Sequence, residues 1–287
     1  ADAEVTIEAN PGTLTPEKLS IYRKYGINRI SIGLQSPNNK ELAMLGRIHN
    51  YAQFLESFQM ARAAGFSNIN VDLMFAIPGQ SYDGWIENLQ TVAALGPEHI
   101  SAYSLIIEEG TPFFRKKLDL PDEDTEYRMY EDVAAVLKEY DYHQYEISNY
   151  AKAGYECRHN EGYWQRKDYL GLGLGAASLL GMERFSNTAD MQEYLKNSSA
   201  PEKIRKNREL LTREDEMAEF MFLGLRMTQG VSKKEFQEYF GTAIENIYGE
   251  VLKKYKKQGL LLEESGRIFL SREGIHVSNA VMAEFLL

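Results

Sequence analysis

Along the first two-thirds of the chain, short β-rich apolar runs alternate with longer amphipathic stretches, and turn residues separate them. Val5–Ala9 is strand-like and is closed by the breaker Asn10-Pro11-Gly12. Thr15-Pro16-Glu17 opens a helix, with Thr15 as N-cap and Pro16 at its first position, and Gly26 ends it. Arg29–Ile32 is the next strand, followed by Gly33-Leu34-Gln35-Ser36-Pro37. Tyr51–Ala64 is amphipathic and stops at Gly65. Ile69–Phe75 is an apolar run interrupted by Asp72 and closed by Pro78-Gly79. Trp85–Leu95 reads as a helix, Ile100–Ile107 as a strand, Glu126–Tyr140 as a helix and Gln144–Ile147 as a strand. Strand-to-strand steps of about 25–40 residues predict βαβ units and a parallel sheet, in a barrel or a doubly wound arrangement. Polar residues close to the strand ends (Glu8, Gln35, Asp72) favour the barrel, whose chemistry gathers on the rim of βα loops.

From Gly154 to Asn187 the pattern is loop-rich, and beyond Met191 it turns mostly helical. Glu214–Met227, Lys233–Tyr239 behind a Ser232 cap, and Ala243–Lys257 read as helices ended by Gly230, Gly241 and Gly259. Leu260–Leu262 and Arg267–Leu270 flank a hairpin turn, so helix, helix and two-stranded wing resemble a winged-helix module. The expected division is 1–190 for the α/β part and 191–287 for a small helical domain.

Composition narrows the classes. The 287 residues carry 32 Lys and Arg against 42 Asp and Glu, a net charge of −10. That acidic balance disfavours a general nucleic-acid role, which needs a basic face, although the winged-helix tail and the run Lys253–Lys257 are the features such a role would use. A single cysteine, Cys157, excludes an intrachain disulfide and a Cys-only metal site. No run of about 18 apolar residues suggests a membrane span. The chain begins Ala1-Asp2-Ala3-Glu4 without a signal-peptide pattern and enters a strand at once. The expectation is a fragment of a longer protein in a reducing, cytoplasmic setting.

Four polar residues sit on the expected rim: Glu8, Gln35, Arg47 and Asp72. Carboxylates accept hydrogen bonds from a ribose diol or an ammonium group, and Arg grips a carboxylate bidentately. Each also has a local reading: Asp72 as a cap, Gln35 as a turn residue, Arg47 as a surface cation. Cys157-Arg158-His159-Asn160-Glu161-Gly162-Tyr163-Trp164 is the densest cluster of unusual residues. His159 can ligate haem iron, and Tyr163 and Trp164 offer flat apolar surface to a large conjugated ligand. In extended backbone Cys157 and His159 would share a face. The alternative is a hydrogen-bonded loop His beside a packed aromatic pair. In Gly171-Leu172-Gly173-Leu174-Gly175 the glycines serve either close approach to a ligand or a strand packed on its neighbour. His49 is a candidate for the rim, whereas His99 and His143 read as structural.

Taken in order, Glu8-Ala9-Asn10-Pro11-Gly12-Thr13, Gly33-Leu34-Gln35-Ser36, Leu45-Gly46-Arg47-Ile48-His49 and Val71-Asp72-Leu73 before Pro78-Gly79-Gln80 resemble one branch of the radical SAM superfamily, the oxygen-independent coproporphyrinogen III oxidase-like family. The resemblance runs over nearly the whole chain, and Met217–Gly274 looks like that family's C-terminal domain. His159-Asn160-Glu161-Gly162-Tyr163-Trp164 completes the His-Asn-x-x-Tyr-Trp pattern of the family's haem chaperone (HemW-type) branch.

The resemblance implies a partial parallel (β/α) barrel of about six units. It implies S-adenosylmethionine at Glu8, Gln35, Arg47 and Asp72. It makes His159, with Tyr163 and Trp164, the haem site and His159 the ligand of haem iron. The family's Cys-x-x-x-Cys-x-x-Cys segment, which holds a four-iron four-sulfur cluster, is not among these residues, so the expectation is an N-terminally truncated barrel that performs no radical chemistry as it stands. An incomplete barrel exposes a strand edge able to pair with another chain, a homodimer being one such pairing. Ala177 stands where relatives often carry His. The function implied is a haem chaperone delivering haem to acceptor haemoproteins without nucleic acid, in the cytoplasm, with docking on a membrane surface left open. The alternative is a coproporphyrinogen dehydrogenase of porphyrin biosynthesis.

Overall fold

A computed structural model describes residues 2–287 and divides the chain into two compact units that meet at Arg158/His159. The sequence boundary at 190 falls inside the second unit, because the loop-rich stretch carries strands of its own.

The first unit runs β1 (Thr6–Ala9), α1 (Pro16–Lys24), β2 (Arg29–Gln35), α2 (Asn39–Met44), α3 (Tyr51–Ala63), β3 (Ile69–Phe75), α4 (Tyr82–Ala93), β4 (His99–Ser104), α5 (Glu123–Glu131), α6 (Val133–Lys138), β5 (His143–Glu146) and β6 (Asn149–Ala151). Local chemistry starts the helices as expected. The Thr15 side chain accepts from the Lys18 N–H with Pro16 inside the first turn; the reciprocal capping box of Asn50 and Gln53, which starts α3, is seen only in the structure.

The strands form one open six-stranded sheet in the order β1-β2-β3-β4-β6-β5, with β1 at one edge. The β1–β4 pairings are parallel, but β6 runs antiparallel to both β4 and β5. The sheet is therefore mixed, with four parallel strands rather than six βα units. A tight turn at Ile147-Ser148 folds β5 back on β6, and the Glu146 carboxylate caps it by accepting from the Ser148 N–H and the Asn149 amide.

The two faces of this sheet differ. Ile30, Ile32, Leu34, Ile69, Val71, Leu73, Phe75 and Ile100 point to one side and are buried under Leu19, Phe54, Phe58, Trp85 and Leu89 of the helices. The alternate strand residues are Ser31, Gly33, Gln35, Asn70, Asp72, Met74, His99, Ser101 and Tyr103, all polar or glycine except Met74. A parallel sheet covered on both faces reads as continuous apolar strands. Here one layer of helices covers the apolar face, and the opposite face is polar, which suits a ligand.

The second unit begins in α7 (Arg158–Trp164) and continues through β7 (Ala177–Leu180), β8 (Glu183–Asn187), α8 (Met191–Lys196), α9 (Pro201–Ile204) and β9 (Arg205–Leu210). It then runs through α10 (Arg213–Gly224), β10 (Val231–Ser232), α11 (Lys233–Phe240), α12 (Ile244–Lys257), β11 (Leu261–Glu264), β12 (Arg267–Leu270), α13 (Arg272–His276) and α14 (Ser278–Ala283). The antiparallel sheet β7-β8-β9 was not apparent from periodicity: β9 is Arg-Lys-Asn-Arg-Glu-Leu, almost wholly exposed, and carries no alternation. The tail matches its winged-helix reading, with β10-β12-β11 beside α10–α12 around Phe236, Phe240, Tyr248, Ile268 and Phe285. Lys254 and Lys256 of the basic run pair with Glu284 and Glu263 on a solvated face. Among the described residues no helix is long and apolar enough to cross a membrane.

Candidate functional site

The polar sheet face gathers all four rim residues. Glu8 lies beside Ser31 in the β1–β2 register, and its charge reaches Asp72. Asp72 accepts from the Asn70 amide at 2.8 Å and from the Ser31 hydroxyl at 3.3 Å. Burial, with the Glu8 charge adding a smaller push, raises the Asp72 carboxyl above its ordinary range, while the hydrogen bonds to Asn70, Ser101 and Ser31 partly offset it.

Gln35 ends β2 at φ 72°, next to an irregularity in the β2–β3 register. A non-glycine residue is held in this left-handed region only when its surroundings over-determine it. The buried Glu41 carboxylate supplies that restraint. It accepts from Ser36 Oγ at 2.5 Å, Asn88 Nδ2 at 2.9 Å and Gln80 Nε2 at 3.0 Å, locking the residue after Gln35. Gln35 is thereby aimed at Tyr103, whose hydroxyl donates to its Oε1 at 2.9 Å. Arg47 is carried by the loop that buried His49 pins to β2 through a 3.2 Å contact between Nε2 and the Leu34 carbonyl. His49 thus belongs to the rim as its anchor.

Tyr103 is the residue that the sequence reading missed. Burial pushes its phenol up to about 12, and the Asp72, Arg47 and Glu8 charges all act on it. The four candidates therefore converge on one side chain. The signal was present in His99-Ile100-Ser101-Ala102-Tyr103, whose polar positions alternate along one face. Gly33 lies beneath the cluster: a Cβ there would stand 3.1 Å from Gln35 Nε2, 3.7 Å from Asn10 Oδ1 and 4.0 Å from Asp72 Oδ2. Glycine leaves this space open. Two carboxylates, an amide, a phenol and a guanidinium around such a space can hold a small molecule bearing ammonium, carboxylate and hydroxyl groups.

The second cluster is built on α7. His159 is exposed, and its ring packs edge-on against Tyr163 at 4.6 Å. Tyr163 in turn meets Tyr169 edge-on at 4.7 Å. His159 and Tyr163 are one helical turn apart and share a face. Trp164 has different partners. The Arg226 guanidinium lies 4.2 Å above its ring, and the indole lines one hollow with Phe220 and Met227 and another with Leu223 and Met282. Below α7, Arg166 pairs with Glu216 at 2.9 Å and Glu219 at 2.6 Å, both on α10, and fixes the segment.

Cys157 does not share a face with His159, because the helix starts at Arg158 and period-two alternation does not apply. Cys157 is buried, and its N–H donates to the Tyr145 hydroxyl at 3.2 Å. In the glycine-rich stretch, a Cβ at Gly171 would stand 2.2 Å from the Ala177 carbonyl. That glycine serves backbone packing.

A family model of the radical SAM superfamily matches residues 1–92, and one of the HemN C-terminal domain matches residues 211–277. The heme chaperone HemW of Bacillus subtilis (strain 168) is 38% identical over 99% of this chain and 76% of its own length. The chain belongs to the HemW family of the radical SAM superfamily. HemW of Escherichia coli (strain K12) is 34% identical over 94% of this chain and 74% of its own. The coproporphyrinogen III oxidase HemN from Escherichia coli, a radical SAM enzyme, has the same fold at a TM-score of 0.84, with 21% identity over 99% of this chain and 70% of that one.

Membership of the superfamily implies S-adenosylmethionine and a four-iron four-sulfur cluster. The sheet face fits S-adenosylmethionine, through the space above Gly33 and the mixed charges around it. The 287 residues carry one cysteine, which is buried, and no group of three or more His, Cys, Asp or Glu among the described residues is placed to hold a metal ion. These residues do not fit the cluster, whose irons need several thiolates.

Proposed function

We propose that this protein binds haem and passes it to acceptor haemoproteins, and that its sheet face holds S-adenosylmethionine. One observation carries the haem reading: in a HemW-family chain, the His-Asn-x-x-Tyr-Trp pattern presents an exposed imidazole on the same helix face as Tyr163. His159 offers a nitrogen lone pair to haem iron, the cargo. Tyr163, backed by Tyr169, restrains the imidazole ring and adds flat apolar surface. Trp164 anchors α7 through Arg226.

On the sheet face, Glu8 and Asp72 accept from the ammonium and ribose hydroxyls of S-adenosylmethionine. Arg47 would pair with its carboxylate, and Gln35 and Tyr103 would line the space around it. Radical chemistry from S-adenosylmethionine needs an electron from a reduced iron-sulfur cluster, which these residues do not hold, so this face is proposed for binding alone. The setting we propose is cytoplasmic. The likeness to coproporphyrinogen III oxidase is one of fold, and no observation at the site favours the dehydrogenase.

Haemin titration followed in the Soret band tests the reading. The protein is expected to saturate, and His159→Ala is expected to bind at least about tenfold more weakly with an altered band position. Equal affinity and an unchanged spectrum in His159→Ala would reject His159 as the ligand.

A further inference from the structure

From Asp72 on the polar face runs a chain of hydrogen bonds whose other members the proposed activity does not use. Asn70, 2% exposed, has every polar valence filled. Its amide nitrogen donates to Ser31 Oγ at 2.9 Å and to Asp72 Oδ1 at 2.8 Å. Its Oδ1 meets His99 Nδ1 at 2.6 Å and accepts from Ser101 Oγ at 3.2 Å. An amide oxygen only accepts, so His99 Nδ1 carries the proton. The other imidazole nitrogen, Nε2, lies 2.8 Å from the Tyr145 hydroxyl. Burial, and then the nearby Arg29 charge, drive the His99 pKa well below its ordinary value, so the ring is neutral and Nε2 accepts. Burial also raises the Tyr145 phenol, which keeps its proton and donates it to His99. The Tyr145 oxygen accepts from the backbone N–H of Cys157 at 3.2 Å.

Every donor in this chain points the same way. Cys157 N–H donates to Tyr145, Tyr145 O–H to His99, His99 Nδ1–H to Asn70, and the Asn70 amide to Asp72. Hydrogen bonds aligned head to tail polarise one another, so strengthening the acceptor at one end tightens the others. The far end is also informative in sequence: Cys157 immediately precedes α7, which carries His159.

We propose that His99 is a positioning residue for the sheet site: with Tyr145 and Asn70 it holds the Asp72 carboxylate toward its ligand and ties that ligand's presence to the backbone at Cys157. The inference rests on the reading that S-adenosylmethionine occupies the face above Gly33. His99 does not touch the ligand; it sets where Asp72 stands. A ligand ammonium or hydroxyl that fixes Asp72 shortens the range of its partners and so reduces opening of the Cys157 N–H.

Calorimetric titration with S-adenosylmethionine and residue-resolved hydrogen exchange at Cys157 test this together. Three variants are compared with the parent protein. His99→Gln keeps an amide able to donate and accept, His99→Phe keeps bulk alone, and Tyr145→Phe removes one hydroxyl. His99→Phe is expected to bind S-adenosylmethionine about tenfold more weakly, and His99→Gln within about threefold of the parent. The ligand is expected to slow exchange at the Cys157 N–H about fivefold or more in the parent and in His99→Gln, and to leave it unchanged in Tyr145→Phe, the variant least able to disturb the fold. Parent-like affinity in His99→Phe, or exchange at Cys157 that ignores the ligand in the parent, would overturn the proposal. Absence of S-adenosylmethionine binding by the parent is a separate result, and removes the reading of the sheet site itself.

Discussion

The two candidate sites are built in opposite ways. On the sheet, Asp72, Gln35 and Tyr103 stand on strands, and each is fixed by hydrogen bonds that are themselves fixed by Ser31, Asn70 and the Glu41 cluster. On α7, a seven-residue helix, His159 is exposed and is steadied by one ring contact with Tyr163. A site held by a supporting shell suits a ligand that must sit in one orientation. An open imidazole suits a cargo that arrives and leaves, because a buried, fully coordinated haem would be slow to release. On the proposed reading, the contrast is between a rigid cofactor face and an accessible loading point, each with its own vulnerability.

The largest effect is expected where the sheet site can be filled from within. Gly33→Val puts side-chain atoms beside Gln35, Asn10 and Asp72, and S-adenosylmethionine affinity is expected to fall at least about 100-fold by calorimetry. Near-normal affinity would place the ligand elsewhere. Asp72→Asn comes next. It is expected to weaken S-adenosylmethionine roughly tenfold while raising the thermal midpoint by about 1–3 °C. The signs are opposed because burial already disfavours the charged carboxylate, so its neutral replacement relieves the fold as it impairs the site.

A smaller effect belongs to the buried His99 behind Asp72. The folded protein keeps His99 neutral well below its ordinary value near 6.5, whereas the unfolded chain takes up a proton there. The stability that neutral His99 contributes is therefore present above that pH and lost as pH falls below it, by at most about 1.4 kcal/mol per pH unit. Denaturant titrations between pH 7 and 5 should show this slope, and His99→Gln should flatten it. His49, also lowered by burial, leaves a residual slope. The smallest effect is expected for Trp164→Phe, which weakens the stack under Arg226 by about 1 kcal/mol in unfolding experiments and changes haemin affinity less than threefold.

What could be read in advance follows from what each feature depends on. Thr15, Asn50 and Ser232 cap helices through contacts within a few residues, and Gly241 ends one in the left-handed conformation, so local sequence announces them. Glu8, Gln35 and Asp72 were legible because each ends or interrupts an apolar strand, whereas Arg47, in the loop between α2 and α3, was marked by family resemblance alone. Tyr103 was hidden, since an aromatic in a strand reads as core until its neighbours across the sheet are known. The antiparallel return of β6 was hidden too: three residues carry no periodicity, and their direction is set by the side-chain cap of Glu146. The His159–Trp164 pattern came from family resemblance. Its division into a His159–Tyr163 face and a Trp164 anchor came from helical geometry.

The most direct measurement is haemin titration of Gly33→Val and His159→Ala in parallel, on preparations whose S-adenosylmethionine affinity is known. The account predicts that Gly33→Val binds haemin like the parent although its S-adenosylmethionine site is filled, and that His159→Ala shows the reverse. Haemin affinity lost in Gly33→Val, or retained in His159→Ala, would contradict the assignment of two separately built sites.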